Sequence, residues 1–376
     1  MSMSMKQGQP LPDERKIRVV IVCPGGRYFE GGISRAVGYL VDAWRDQDDA
    51  PEARIVDPRG PGSLLWSPFY LARAAAQIAW IFATGKADIL HVNVSVRAST
   101  VRKSIVAFVA SVLRIPYVVH VHSGLYHQFF SGLRGPFRAF TRRMFTRARR
   151  VIVLGNQWRD FARDGIGVEA RHIVVMHNAV PGPDSIDRDS DPEGRCHILF
   201  LGRLSPAKGV PELVEALGKS DIASLPWTAV LAGDGDTEPY RTAAARLSIA
   251  DRMEFPGWVG PETVKELLAS ADVLVLPSHH EGLPMSILEG MAYRLALITT
   301  PVGAIPEAVE DGVSGLLVPP RDVDALADAL GRVIADPDLR RQLSDGARQA
   351  FLERFDVRGY ATRMTRLYEE VLSRRP

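Results

Sequence analysis

Glu281 and Glu289 stand eight positions apart across a segment, Leu274 to Ala292, that reads as a strand, a polar turn and a helix opened by Pro284. Two carboxylates so placed can each accept hydrogen bonds from a pair of vicinal hydroxyls, as on a sugar or a ribose. Amides of Gly282, Leu283 and Met285 would point out of the helix N-terminus, which suits an anion. Upstream, the run Gly202 to Gly209 leaves a strand and carries Arg203 and Lys208, a guanidinium fork and a point charge fit to grip a diphosphate. Standing alone, the two cations would serve equally as surface salt bridges, Glu281 as a loop residue and Glu289 as an exposed helix residue.

In the first half, the strand Ile17 to Cys23 ends in Pro24-Gly25-Gly26, and a second pair, Gly31-Gly32, comes just before a helix. Glycines there let backbone amides approach a phosphate closely, though a tight turn without a ligand has the same composition. The spacing is not Gly-x-Gly-x-x-Gly, which argues against an NAD-type dinucleotide. His120 and His122 are expected to point to opposite sides of their strand, so that at most one faces outward from it.

Short β-branched runs must position these groups. They are Ile17 to Cys23, Asp88 to Asn93, Tyr117 to His122, Arg150 to Leu154 and Ile173 to Met176, then His197 to Leu201, Thr228 to Ala232, Asp272 to Leu276, Ala296 to Thr300 and Gly315 to Val318. Helical stretches separate most of them, among them Ile33 to Trp44, Val210 to Leu217, Pro261 to Ala269 and Val323 to Ile334. Near-continuous apolar strands alternating with helices describe parallel sheets covered on both faces. A length of 376 residues exceeds what one core usually serves, and the Pro, Gly, Asp and Ser of Pro181 to Gly194 mark a linker. The expectation is an α/β chain of two Rossmann-like, doubly wound domains facing across a cleft: a loose tail over 1–16, a first domain over 17–182, a linker over 183–194, a second domain over 195–355 and a terminal segment over 356–376.

With 46% apolar and 24% charged residues the chain is neither disordered, collagen-like nor coiled coil. Its net charge of +2 hides an asymmetry: residues 1–182 hold 25 Lys and Arg against 13 Asp and Glu, the remainder 21 against 31. Between Asp88 and Asp160 there is no acidic residue, while twelve cations accumulate, and Arg138, Arg142 and Arg143 interleave with Phe137, Phe140, Met144 and Phe145. This suits an anionic membrane surface; a solvated basic face is the plainer reading, and nucleic acid is disfavoured because no reader motif is present. Leu64 to Ala83 is apolar but interrupted by Ser67, Pro68, Arg73 and Gln77, as a buried or interface-lying helix would be. Two cysteines, Cys23 and Cys196, without Cys-x-x-Cys spacing point to a reducing, cytoplasmic setting and away from a structural zinc.

Taken in order, Gly-Arg-Leu-Ser-Pro-Ala-Lys-Gly at 202–209, Ala-Gly-Asp-Gly at 232–235, Phe-Pro-Gly-Trp-Val at 255–259 and Glu-x7-Glu at 281–289 resemble the family 4 retaining glycosyltransferases of the GT-B fold, as do Gly31-Gly32 and Val-His-Val-His-Ser at 119–123. The resemblance implies a nucleotide-sugar donor held mainly by the second domain and a lipid-linked or glycan acceptor held by the first. By that implication Arg203 and Lys208 bind the donor pyrophosphate, Glu289 the ribose, and Glu281 the hydroxyls of the transferred hexose-type sugar. Gly32, Gly233, Gly282, Leu283, Pro284 and Met285 line the donor, Trp258 and Val259 border its base, and His122 sits beside the anomeric centre. His91, Asn93 and Tyr126 are candidates for the acceptor, and Asn178 matches a family position although Ala179 replaces the usual Gly. No cofactor and no metal is expected, since Asp234 and Asp236 fit a turn after a strand. The terminal helix Val357 to Leu372 would pack back over the first domain. Surface polysaccharide or glycolipid assembly on the inner face of a membrane is the expected setting. A nucleotide-sugar epimerase, or a non-catalytic membrane- or polyanion-binding module, are the alternatives.

Overall fold

Runs of Val, Ile and Leu build two six-stranded sheets in which every pairing is parallel. The computed structural model describes residues 16–24, 31–61, 64–186, 191 and 193–373. The expected tail up to residue 15, the Gly25-Gly26 pair and residues 187–190 and 192 of the expected linker lie outside the described residues.

The first sheet contains β1 (Arg18–Val22), β2 (Glu52–Val56), β3 (Ile89–Val94), β4 (Tyr117–Val121), β5 (Arg150–Val153) and β6 (Ile173–Val175), in the order β2-β1-β3-β4-β5-β6. The second contains β7 (Cys196–Leu201), β8 (Trp227–Ala232), β9 (Met253–Gly257), β10 (Val273–Leu276), β11 (Ala296–Thr299) and β12 (Leu316–Leu317), in the order β12-β11-β10-β7-β8-β9. Strand order reverses between β1 and β3 in one sheet and between β7 and β10 in the other. Crevices at such reversals, beyond the carboxyl ends of the strands, are where open α/β sheets bind ligands. β2 and β9 were not anticipated. Both alternate buried and exposed positions, as at Met253 to Gly257, because each lies at or near a sheet edge and lacks the continuous apolar run of a central strand.

The two faces of β1 belong to different cores. Val20 and Val22 pack toward the helices Ser67–Ala83 and Ala98–Val112; Val19, Ile21 and Cys23 pack with the helix Gly32–Arg45 and with Val357, Tyr360, Met364, Leu367, Tyr368 and Val371 of the terminal helix Val357–Ser373. Alternation of side chains along the strand makes that division. The chain thus passes from the first sheet to the second and returns, and the two crossings lie side by side: Val180 N–H donates to the Phe355 carbonyl at 3.0 Å and Val357 N–H to the Val180 carbonyl at 3.1 Å.

The basic run needs correction. Met144 and Phe145, taken as part of an outward amphipathic face, are buried, because the helical period of Gly135–Thr146 turns them inward while Arg138, Arg142 and Arg143 face out. Lys103 is wholly buried, its Nζ has no hydrogen-bond partner, and burial pushes its ammonium down to about 8. The outward apolar side chains of this half are instead Leu65, Trp66, Phe69 and Trp80 on and before the helix Ser67–Ala83, with Phe108 and Val112 on its neighbour. No described helix is long and apolar enough to cross a membrane.

Tyr368 is fully buried, with its hydroxyl 2.6 Å from His91 Nδ1 and its ring beside Trp44. Tyr368→Ala should lower stability by about 3–5 kcal/mol in urea unfolding followed by circular dichroism; a change below about 1 kcal/mol would mean that the terminal helix is not docked on the first sheet in solution.

Candidate active site between the two sheets

Beyond the β7/β10 reversal, the 3-10 turn Pro206–Lys208 follows β7 and the loop to the helix Met285–Ala292 follows β10. They meet through one ion pair. Lys208 Nζ donates to Glu281 Oε1, which also accepts from Ser278 Oγ at 2.7 Å, and Glu281 is 9% exposed against 27% for Lys208. Pro284 occupies the cap position rather than the first helical turn. Among the described residues the amides of Gly282, Leu283 and Met285 have no protein acceptor, so the loop carries a carboxylate–ammonium pair beside unused N–H donors.

Arg203 does not join this cluster. Its side chain is 68% exposed and pairs with the also exposed Asp234 at 3.2 Å, a contact weak enough to leave the guanidinium free to swing. Gly233 is a packing position: a Cβ there would stand 1.7 Å from the Gly202 carbonyl oxygen, where β7 and β8 end together. Trp258 is exposed and Val259 half-buried. Among the described residues nothing lies within 4 Å of where a Cβ on Gly32 would stand. Asp236 accepts from the Glu238 amide at 3.1 Å, as a turn residue does, and the described residues hold no cluster of three or more metal-binding side chains.

Glu289 is buried within the helix Met285–Ala292, and its two oxygens have different fates. Oε1 accepts from Arg35 Nη2 and from the Tyr39 hydroxyl at 3.0 Å; Oε2 is buried with no partner. Both donors come from the helix Gly32–Arg45 of the other sheet, one turn apart. Sequence reasoning missed them. The only signal was a cation and a phenol at four-residue spacing just after Gly31-Gly32.

On the first sheet, His91, His120 and His122 stack in series, with ring centroids 5.4 and 4.0 Å apart, so His120 and His122 do not point to opposite sides as expected: positions two apart along a strand share a face. Burial pushes His91 and His122 down to about 3 and His120 well below the ordinary histidine range, so all three are neutral. Asn93 Nδ2 donates to the Val22 carbonyl at 3.3 Å, which leaves its Oδ1 to accept from His122 Nε2 at 2.7 Å. His122 is thereby held as the Nε2–H tautomer with Nδ1 a bare acceptor. The acceptor candidates need correction on the same ground. Asn93 is buried beneath His122, His91 is buried against Tyr368, and Tyr126 is buried with its hydroxyl 3.4 Å from Thr100; none of them faces open space.

Three further contacts join the halves at this loop. Gly124, two residues past His122, lies so close that a Cβ would stand 2.2 Å from the Glu281 carbonyl oxygen. Asn178 Nδ2 donates to the Leu283 carbonyl at 2.9 Å, so the family-like position does hold the loop despite Ala179. Glu307 accepts from the Asn156 amide at 2.7 Å, from Asn156 Nδ2 at 2.9 Å and from His177 Nε2 at 3.2 Å.

Residues 184–350 match the family described as glycosyl transferases group 1, and residues 12–179 match the glycosyl transferase 4-like domain. Alpha-D-kanosaminyltransferase of Streptomyces kanamyceticus is 26% identical over 325 residues, covering 80% of this chain and 83% of that protein. Among solved structures, sucrose-phosphate synthase from Thermosynechococcus elongatus superposes with a TM-score of 0.75 at 21% identity, over 95% of this chain and 100% of that one. Anabaena Alr3699/HepE in complex with UDP and glucose gives 0.72 at 20% identity, over 94% and 100%. The fold is therefore the GT-B arrangement.

The neutral histidine stack makes acid destabilising. Each folded-state pKa lies below the unfolded value near 6.5, so the unfolded chain binds more protons between about pH 3 and 6.5, and stability falls as pH drops through that window. Urea midpoints between pH 7 and 5 should decline, each histidine contributing up to about 1.4 kcal/mol per pH unit. His91→Gln should flatten the decline; an unchanged slope would show that His91 does not contribute.

Proposed function

We propose that this chain, whose two halves match the glycosyl transferases group 1 and the glycosyl transferase 4-like domain, moves a hexose-type sugar from a nucleotide-sugar donor to a lipid-linked or membrane-proximal glycan acceptor with retention of anomeric configuration. The observation that carries the reading is the Lys208–Glu281 pair set beside unused amides, one helix from a buried carboxylate with an oxygen that has no partner among the described residues.

Breaking the bond from anomeric carbon to phosphate leaves positive charge on the sugar ring and negative charge on the diphosphate. Lys208 and the amides of Gly282, Leu283 and Met285 lie where that negative charge would be held, and Arg203 is free to join them. The acceptor hydroxyl oxygen attacks from the face the diphosphate leaves, the new carbon–oxygen bond forms as the old one breaks, and the departing phosphate oxygen takes the hydroxyl proton. No separate protein base is required. Ribose hydroxyls would donate to Glu289 Oε2, sugar hydroxyls to Glu281, and His122 Nδ1 would accept from a hydroxyl of the transferred sugar. No step in this scheme uses a metal or cofactor. HepE, of the same fold, is recorded in complex with UDP and glucose, which supports a donor of this class.

The first half supports contact with a membrane. Leu65, Trp66 and Phe69 are 88, 65 and 61% exposed, and the outward arginines of Gly135–Thr146 supply positive charge. Such a surface would place a lipid-linked acceptor at the cleft from the cytoplasmic face.

A panel of nucleotide sugars, read by thermal shift and by release of nucleoside diphosphate with acceptor, tests the reaction. Lys208→Ala should lower turnover by about 10²–10³-fold; full activity in that variant, or epimerised donor formed without acceptor, would overturn the reading. Flotation with vesicles containing phosphatidylglycerol tests the surface: Trp66→Ser with Phe69→Ser should abolish recovery in the lipid fraction, and wild-type protein remaining at the bottom of the gradient would remove the membrane role.

A further inference from the structure

Among the described residues Arg35 is the one cation that reaches Glu289, and its guanidinium is only partly used. Nη2 bonds Glu289 Oε1 and lies 3.3 Å from the Tyr39 hydroxyl, whereas Nε and Nη1 have no partner among the described residues. The side chain remains 42% exposed, so its second edge is open to the cleft while its first is tied to a carboxylate that is 5% exposed. Tyr39 keeps the arrangement in register: burial pushes its phenol up to about 12, so it stays a hydrogen-bond donor to the same carboxylate oxygen.

Glu289 lies four residues into the helix Met285–Ala292, about 6 Å along its axis from the N-terminal amides. A ribose bonded to the unpartnered Oε2 would place its 5′-phosphates back toward those amides and toward the gap that Arg35 spans. Glu289, once buried, needs a counter-charge that a neutral diol does not supply, so Arg35 has reason to stay when the ribose arrives. Its planar fork can hold the carboxylate with one nitrogen and an anion with the others.

We propose that Arg35 is a donor-binding residue contributed by the first half, holding Glu289 with Nη2 and presenting Nε and Nη1 to the donor's diphosphate. The site for the diphosphate is then complete only when the two halves are closed on each other, and donor binding favours closure. This rests on the reading of Glu289 as the ribose acceptor.

The test is isothermal titration of the full chain with UDP and GDP, and with uridine and guanosine at higher concentration. Arg35→Ala should weaken binding of the preferred nucleoside diphosphate by about 10–100-fold, and about tenfold more than it weakens the matching nucleoside, which loses only what Glu289 loses with its counter-charge. Arg35→Lys, which keeps a charge beside Glu289 but loses the fork, should fall between; it carries the test if the alanine variant does not fold. In steady state KM for the donor should rise with the dissociation constant. Equal losses for nucleoside and diphosphate, no loss, or tighter binding, as an arginine that merely blocks the ribose site would give, each overturns the proposal while leaving the donor class intact. Wild-type protein that binds neither diphosphate overturns the donor reading and the proposal together.

Discussion

Two carboxylates removed from water at a gap between two sheets each require a cation, and that requirement organises the site. Glu281 finds Lys208 within its own half; Glu289 finds Arg35 across the gap. A buried carboxylate left alone would be costly by several kcal/mol, so the geometry of Glu289 depends on how the two halves sit together, whereas the geometry of Glu281 does not. The remaining contacts, Gly124 against Glu281, Asn178 on Leu283 and Glu307 on Asn156 and His177, all bear on the same loop or its neighbour and fix the approach at which Arg35 can serve.

Much of this was legible in the sequence, for identifiable reasons. Central strands such as β7 and β10 are apolar on both faces and announce themselves; β2 and β9, near the edges, alternate and carry charge, so a search for continuous apolar runs passes over them. Lys208 and Glu281 could be placed at one site, though not paired with each other, because each follows a strand on one side of the reversal in strand order. Arg35 could not, since its partner is 254 positions away and in another core. Asn93 and His91 sat at a strand end and looked available, but a strand end can face the core behind the sheet as well as the cleft, and only the terminal helix, with Tyr368, decides which. Lys103 misled for a related reason: its charge counted toward a basic surface that its position on the inner face of a helix denies it.

The histidine stack shows how the first half reaches the cleft without exposing much. Only His122 approaches open space, and its free nitrogen is chosen by an amide whose other end is tied to the backbone of β1. The proton on His122 is therefore set by three strands acting together, and its neutrality by burial.

The paired crossings at Val180 and Asp356 have a mechanical meaning. A single covalent connection would let one lobe swivel in any direction, but two connections bonded to each other behave as a strip that bends easily across its thin axis and resists twist and sliding. Opening then follows one repeatable arc, like a page about its spine. Side chains on opposite pages that meet once will meet again in the same register after every turnover.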